Sequence, residues 1–384
     1  MLNFTAPLPL ALYVHFPWCV EKCPYCDFNS HPLREGVPEA AYLSALLEDL
    51  EAMLPRAWGR PVHSVFIGGG TPSLLSAEGL DRLLSDLRAR LVLSAEAEIT
   101  LEANPGAVEQ GRFAEFRAAG INRLSLGVQS FQDDLLRSLG RIHSAREAVR
   151  AAETARRAGF DNLNLDLMYG LPGQGVAEAA ADLEQAIALE PTHLSRYQLT
   201  IEPNTAFGHR PPPLPDEEAI WAMEEAGRTR LAEAGLAQYE VSAYAREGFR
   251  CRHNLNYWQF GDYLGIGPGA HAKLTEPQRP AIVRLWKERH PHRYMEAGAA
   301  WTTGERTLSR QEAAFEFMLN ALRLNDGFDT ALFAERTGQP VTAVERALGE
   351  AERHGLIEWG VQRIRPTERG RRFLNDLLEL FLPE

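Results

Sequence analysis

Apolar and polar positions alternate in a repeating rhythm from Leu12 to about Pro203. A short apolar run gives way to a polar or Gly-rich break, and then to a stretch with helical spacing. The runs "LYVHF", "HSVFIGG", "AEITLEA", "NRLSLGVQ", "NLNLDLMYG" and "LSRYQLTIE" predict six strands. Leu43, Leu46, Leu47, Leu50 and Leu54 mark one helical stripe between them, and Leu80, Leu83, Leu84, Leu87 and Leu91 a second. "FRAAGI" and "ARRAGF" each end a helical pattern with a glycine just before the next strand. Six strand–helix units predict an α/β fold with a parallel sheet and right-handed crossovers. They fall short of the eight units of a closed barrel, so a partial (β/α)6 barrel or an open sheet fits.

Beyond this repeat, residues 204–216, "NTAFGHRPPPLPD", read as a linker or an extended connection. A helix is predicted from about Glu217 to Glu233, then a strand in "QYEVSAYA", then the aromatic and Gly-rich "CRHNLNYWQFGDYLGIGPGAHAK". Residues 305–384 read as three helices, a strand pair in "IEWGVQRIRPT" and a last helix, the order of a winged-helix-like α+β module. The expected division is a barrel over 1–210, a connecting region over 211–304 and the C-terminal module over 305–384.

Composition narrows the function classes. The 384 residues are 45% hydrophobic and 24% charged, as in ordinary globular proteins. Forty Lys and Arg against 52 Asp and Glu leave a net charge of −12, which argues against a nucleic-acid polyanion as main partner. Winged helices often bind DNA, and "RIRPTERGRR" is locally basic. The third helix of the module, however, carries Glu345, Glu350 and Glu352 against Arg346 and Arg353. Acidic groups there would repel phosphates, so a lid or interaction platform is expected instead. No apolar run is long enough to span a bilayer. The N-terminal stretch lacks a basic region ahead of its apolar part, so no signal peptide is expected, and a cytoplasmic protein with reduced thiols follows.

Chemistry gathers at the predicted strand ends. The first strand leads into "HFPWCVEKCPYCDF", which holds Cys19, Cys23 and Cys26. The second ends in "GGGTP", including Gly69, Gly70 and Thr71. The next four carry Glu102, Gln129, Asp166, and Tyr197 with Gln198. In parallel α/β folds these ends converge on one face. Three close-spaced thiolates can ligate three irons of a [4Fe–4S] cluster and leave the fourth open. A structural zinc or cluster would need a fourth protein ligand, for which Cys251 or His15 is available. "GGGTP" lacks the lysine of a phosphate-binding P-loop.

The C-x3-C-x2-C spacing with Tyr25 before the last cysteine resembles the radical S-adenosylmethionine (SAM) superfamily. That resemblance implies a cluster on Cys19, Cys23 and Cys26, with SAM chelating the open iron. It implies SAM contacts from Tyr13, Tyr25, Gly69, Gly70, Thr71, Glu102, Gln129, Arg141 and Asp166, which stand where the coproporphyrinogen-oxidase-like branch has them. Within that branch the chain is similar to two groups, the oxygen-independent coproporphyrinogen III oxidases and the HemW heme chaperones. The oxidase motif continues with a further cysteine where this sequence has Phe28, and only eighteen residues precede Cys19, so the oxidase's N-terminal extension is expected to be absent. "HNLNYW" matches the HNxxYW motif of the chaperones and implies heme contacts from His253, Tyr257 and Trp258. An imidazole suits heme iron, and aromatic rings suit a porphyrin face, with Cys251 as an alternative ligand. The resemblance thus implies a carrier of heme to acceptor proteins, including membrane respiratory enzymes, without oxidase activity. The alternative is the oxidase itself.

Overall fold

A computed structural model describes all residues except 1, 5, 58, 107–109, 277 and 384. All six predicted strands are present: β1 (Leu10–Phe16), β2 (Val62–Gly69), β3 (Leu93–Ala103), β4 (Arg123–Gln129), β5 (Asn162–Tyr169) and β6 (His193–Gln198). They pair in parallel, in chain order. β1 shows why they read as continuous apolar runs: every residue but Tyr13 is buried, because helices cover one face and the barrel interior the other. The predicted leucine stripes lie on helices Glu39–Ala57 and Ala77–Arg90, except that Leu91 caps the second helix in an extended conformation. Leu80, Leu83, Leu84 and Leu87 are fully buried, each worth about 1.5–3 kcal/mol relative to exposure. Ser76 starts its helix by accepting the Gly79 N–H at 2.9 Å.

The region 211–304 is more than a connection. Helix Glu217–Glu233 forms as predicted. "QYEVSAYA" is a hairpin, β7 (Ala237–Glu240) and β8 (Ala243–Ala245), and not one strand. The chain turns at Val241–Ser242, where the Glu240 carboxylate accepts the Ser242 N–H at 3.1 Å. "HNLNYW" falls on a short helix, Arg252–Trp258. Four further strands follow: β9 (Asp262–Ile266), β10 (His271–Glu276), β11 (Ala281–Lys287) and β12 (Thr302–Thr307). β9 lies parallel to β1 on its free side, and β10 to β12 continue antiparallel. One twelve-stranded sheet results, ordered β12-β11-β10-β9-β1-β2-β3-β4-β5-β6-β8-β7. Buried ion pairs fasten the added strands. Lys273 Nζ donates to Asp262 at 3.0 Å, Arg60 reaches the same carboxylate at 2.9 Å, and Lys287 donates to Asp49 at 2.5 Å.

The C-terminal module packs helices Arg310–Ala321, Thr330–Thr337 and Glu345–Arg353 on a three-stranded sheet. Its core centres on Phe317, Phe333 and Phe328, and takes in Phe260 and Ile282 from the large sheet. No helix among the described residues is long and apolar enough to cross a membrane.

Candidate functional site

The three clustered cysteines sit on the loop that leaves the C-terminal end of β1. The loop is closed by its own backbone. Trp18–Cys19 pairs with His31–Pro32, and the Leu33 N–H donates to the Cys19 carbonyl at 2.8 Å. Lys22 Nζ donates to the carbonyls of Phe28 and Ser30 at 3.2 and 3.1 Å. The thiols are free and half-buried, and all three line one cavity of about 460 Å³ at the strand ends.

The glycine loop after β2 is strapped to this entry. Gly70 and Thr71 N–H groups donate to the carbonyls of Phe16 and Trp18 at 2.6 and 2.7 Å. A Cβ on Gly70 would lie 2.4 Å from the Trp18 carbonyl oxygen. One on Gly69, whose φ is +114°, would lie 2.5 Å from His15 Cε1. Only glycine permits so close an approach.

Glu102, Gln129 and Asp166 face the same cavity from three successive strands. Gln129 has φ +67°, a left-handed conformation uncommon for a residue with a side chain and typical of functional sites. Glu102 accepts the Gly69 N–H at 3.0 Å. Burial, and then the neighbouring Asp166, push its carboxyl up to about 8. Burial also raises Asp166, opposed by hydrogen bonds from Asn164 at 2.8 Å and Ser125 at 3.0 Å. Two acids in one recess favour a cationic partner.

Arg141 closes the other end. Its Nη2 donates to Asn104 Oδ1 and the Gly127 carbonyl, both at 2.7 Å, and its Nη1 lies 3.6 Å from Cys23 Sγ. Its Nε is buried with no partner, a donor beside the cavity that lacks an acceptor. Asn104, which also donates to Thr71 Oγ1 at 3.0 Å, was not singled out by the sequence reading. Its position in "LEANPG", two residues after Glu102 at the same strand end, was the available signal.

The donor set fits a [4Fe–4S] cluster with SAM. It offers three thiols on a preformed loop, carboxyls for an ammonium group and an unpartnered guanidinium N–H for a carboxylate. When bound, such a cluster supplies an electron to the sulfonium of SAM. Among the described residues, no three His, Cys, Asp or Glu side chains are grouped to hold a single metal ion. Cys251 is no fourth ligand as folded: it is fully buried, 3.6 Å from Glu98 Oε1, away from the cavity. His15 is taken up by Tyr13 and the Asn29 carbonyl, each at 2.9 Å.

Tyr25 lines the cysteine cavity, but Tyr13 lines a second cavity of about 730 Å³ beside it. Gly69, Glu102 and Phe28 border both. The three residues of "HNLNYW" expected at heme are placed differently by the fold. His253 is 1% exposed, with Nδ1 3.0 Å from Ser64 Oγ and Nε2 3.1 Å from the Tyr257 hydroxyl. Burial lowers its pKa to about 3, and neither nitrogen is offered to a ligand. Trp258 lies under the Arg323 guanidinium at 4.3 Å and borders neither cavity. Only Tyr257 reaches the second one.

Comparison with known proteins agrees with this architecture. The family model of the radical SAM superfamily matches residues 13–186, and that of the HemN C-terminal domain residues 308–373. Heme chaperone HemW of Escherichia coli is 51% identical, over 98% of this chain and 99% of its own length. Its counterpart in Haemophilus influenzae is 50% identical, over 98% of each chain. The mitochondrial radical S-adenosyl methionine domain-containing protein 1 of Mus musculus is 37% identical, over 97% of this chain and 87% of its own. The solved structure of coproporphyrinogen III oxidase (HemN) from Escherichia coli superposes with a TM-score of 0.83 at 24% identity. It covers 98% of this chain and 90% of that one, a likeness of fold. The chain belongs to the family of the heme chaperone HemW, within the radical SAM superfamily.

Proposed function

We propose that this protein binds heme and passes it to acceptor proteins, membrane respiratory enzymes among them, while carrying a [4Fe–4S] cluster and SAM. Cys19, Cys23 and Cys26 hold the cluster. Gly69, Gly70, Thr71, Gln129 and Tyr25 border the bound SAM, Arg141 takes its carboxylate, and Glu102 and Asp166 take its ammonium and ribose groups. Tyr13, which shares the lining of the second cavity with Glu102, completes the SAM set from that side. The protein works in the cytoplasm, peripherally at the inner face of the membrane when it meets its acceptors.

The observation that carries this reading is the end-to-end similarity to heme chaperones, joined to Phe28 at the position of the oxidase's further cysteine. Two measurements test it. Heme added to the reconstituted protein should give a saturable Soret band; its absence would remove the carrier role. Anaerobic incubation with reductant, SAM and coproporphyrinogen should leave the substrate unchanged; protoporphyrinogen formation would assign the oxidase. For the cluster, Cys23→Ala should stay folded by circular dichroism yet lose the brown colour after reconstitution. Full iron and sulfide retention in that variant would reject the ligand set.

A further inference from the structure

The second cavity shares Gly69, Glu102 and Phe28 with the site built above, and its remaining walls are unusual. β10 and β11 place His271 directly opposite Trp286. Tyr257 and Tyr263 lie beside them, packed edge to face at 4.4 Å between ring centres. Phe28 and Trp286 remain 62% and 37% exposed, although both border the cavity. Large aromatic faces left in water around a recess suit a broad, flat apolar occupant. The volume, about 730 Å³, lies within the roughly 300–1,000 Å³ of small-molecule pockets.

Polar groups set the orientation. His271 is half-exposed, and among the described residues neither of its ring nitrogens takes part in a hydrogen bond. Burial and the guanidinium groups of Arg284 and Arg289 lower its pKa, so the imidazole is neutral and able to ligate a metal at pH 7. Arg289 borders the cavity, and its carbonyl accepts Asn29 Nδ2 at 2.9 Å, which ties it to the cysteine loop. The other two histidines nearby, His15 and His253, have both nitrogens engaged.

We infer that heme seats in this second cavity, with a ring nitrogen of His271 as axial ligand to the iron, Trp286, Tyr257 and Tyr263 against the porphyrin, and Arg289 on a propionate. The inference rests on the heme-carrying reading and moves the ligand from "HNLNYW" to "GPGAH". In this arrangement His253 supports the cavity through its contact with the Tyr257 hydroxyl and never meets the iron.

The test is an anaerobic titration of the full-length, reconstituted protein with ferric heme, followed by the Soret band and electron paramagnetic resonance. His271→Ala should lower affinity at least tenfold and change the iron's spin state, with added imidazole restoring the wild-type spectrum. Arg289→Glu should weaken binding while leaving the spectrum of the bound form intact. Wild-type affinity and spectrum in His271→Ala, alongside normal wild-type binding, would overturn the site and spare the carrier reading. Loss of the axial signal only in a folded His253→Ala would also overturn it. Failure of the wild-type protein to bind heme would instead remove the carrier reading itself.

Discussion

Replacing Glu102 with Gln should stabilise the cluster-free protein, and the gain should depend on pH. The side chain keeps its shape, and its amide oxygen still accepts the Gly69 N–H now held at 3.0 Å. Only the ionisable group is lost. In the fold that carboxyl titrates near 8, against an ordinary value of 4.5. A raised carboxyl stabilises the fold relative to its charged state only below 4.5; as pH rises toward 8 the unfolded chain releases the proton first and gains. At about 1.4 kcal/mol per pH unit, the cost to the folded state at pH 7 approaches ~3 kcal/mol. The side chain is enclosed by protein but partly faces the cavity, and water there screens it, so about 2 kcal/mol is the expected gain. Urea unfolding of wild type and Glu102→Gln, followed by circular dichroism, should show that gain at pH 7 to 8 and none at pH 4.5. Equal stability at every pH, or a constant offset, would refute the reasoning. The same variant should bind SAM at least tenfold more weakly, because an amide cannot balance an ammonium ion.

Two further outcomes follow from geometry. Gly70→Ala forces a methyl to within 2.4 Å of the Trp18 carbonyl, so it should cost about 1–3 kcal/mol and weaken SAM binding, while iron and sulfide content stays normal. Lys273→Met leaves buried Asp262 with Arg60 as its remaining cation and should destabilise the protein by about 3 kcal/mol in urea unfolding.

The six parallel strands were legible because burial on both faces makes each a short continuous apolar run, and glycine marks where the helices stop. The added strands were not. β10 and β11 carry Lys273 and Lys287, charged residues that interrupt an apolar run, and the partner that neutralises Lys287 is Asp49, on the first long helix. Nothing local announces such a pair. The strand-end set of the site was legible because topology alone brings those ends together. The fate of "HNLNYW" was hidden for the opposite reason. Ser64, which takes up His253 Nδ1, lies 189 residues earlier in the chain. His271 carries no signal of its own in the sequence, since its merit lies in what surrounds it across two strands.

Gly69, Glu102 and Phe28 belong to the walls of both cavities. Two guests seated at once would meet the same carboxyl, and a guest that changes its protonation changes the terms on which the other is held. Linkage makes this influence mutual: whatever factor one guest imposes on the other's equilibrium affinity is returned undiminished. Shared lining of this kind would make loading and unloading a joint decision of both chambers.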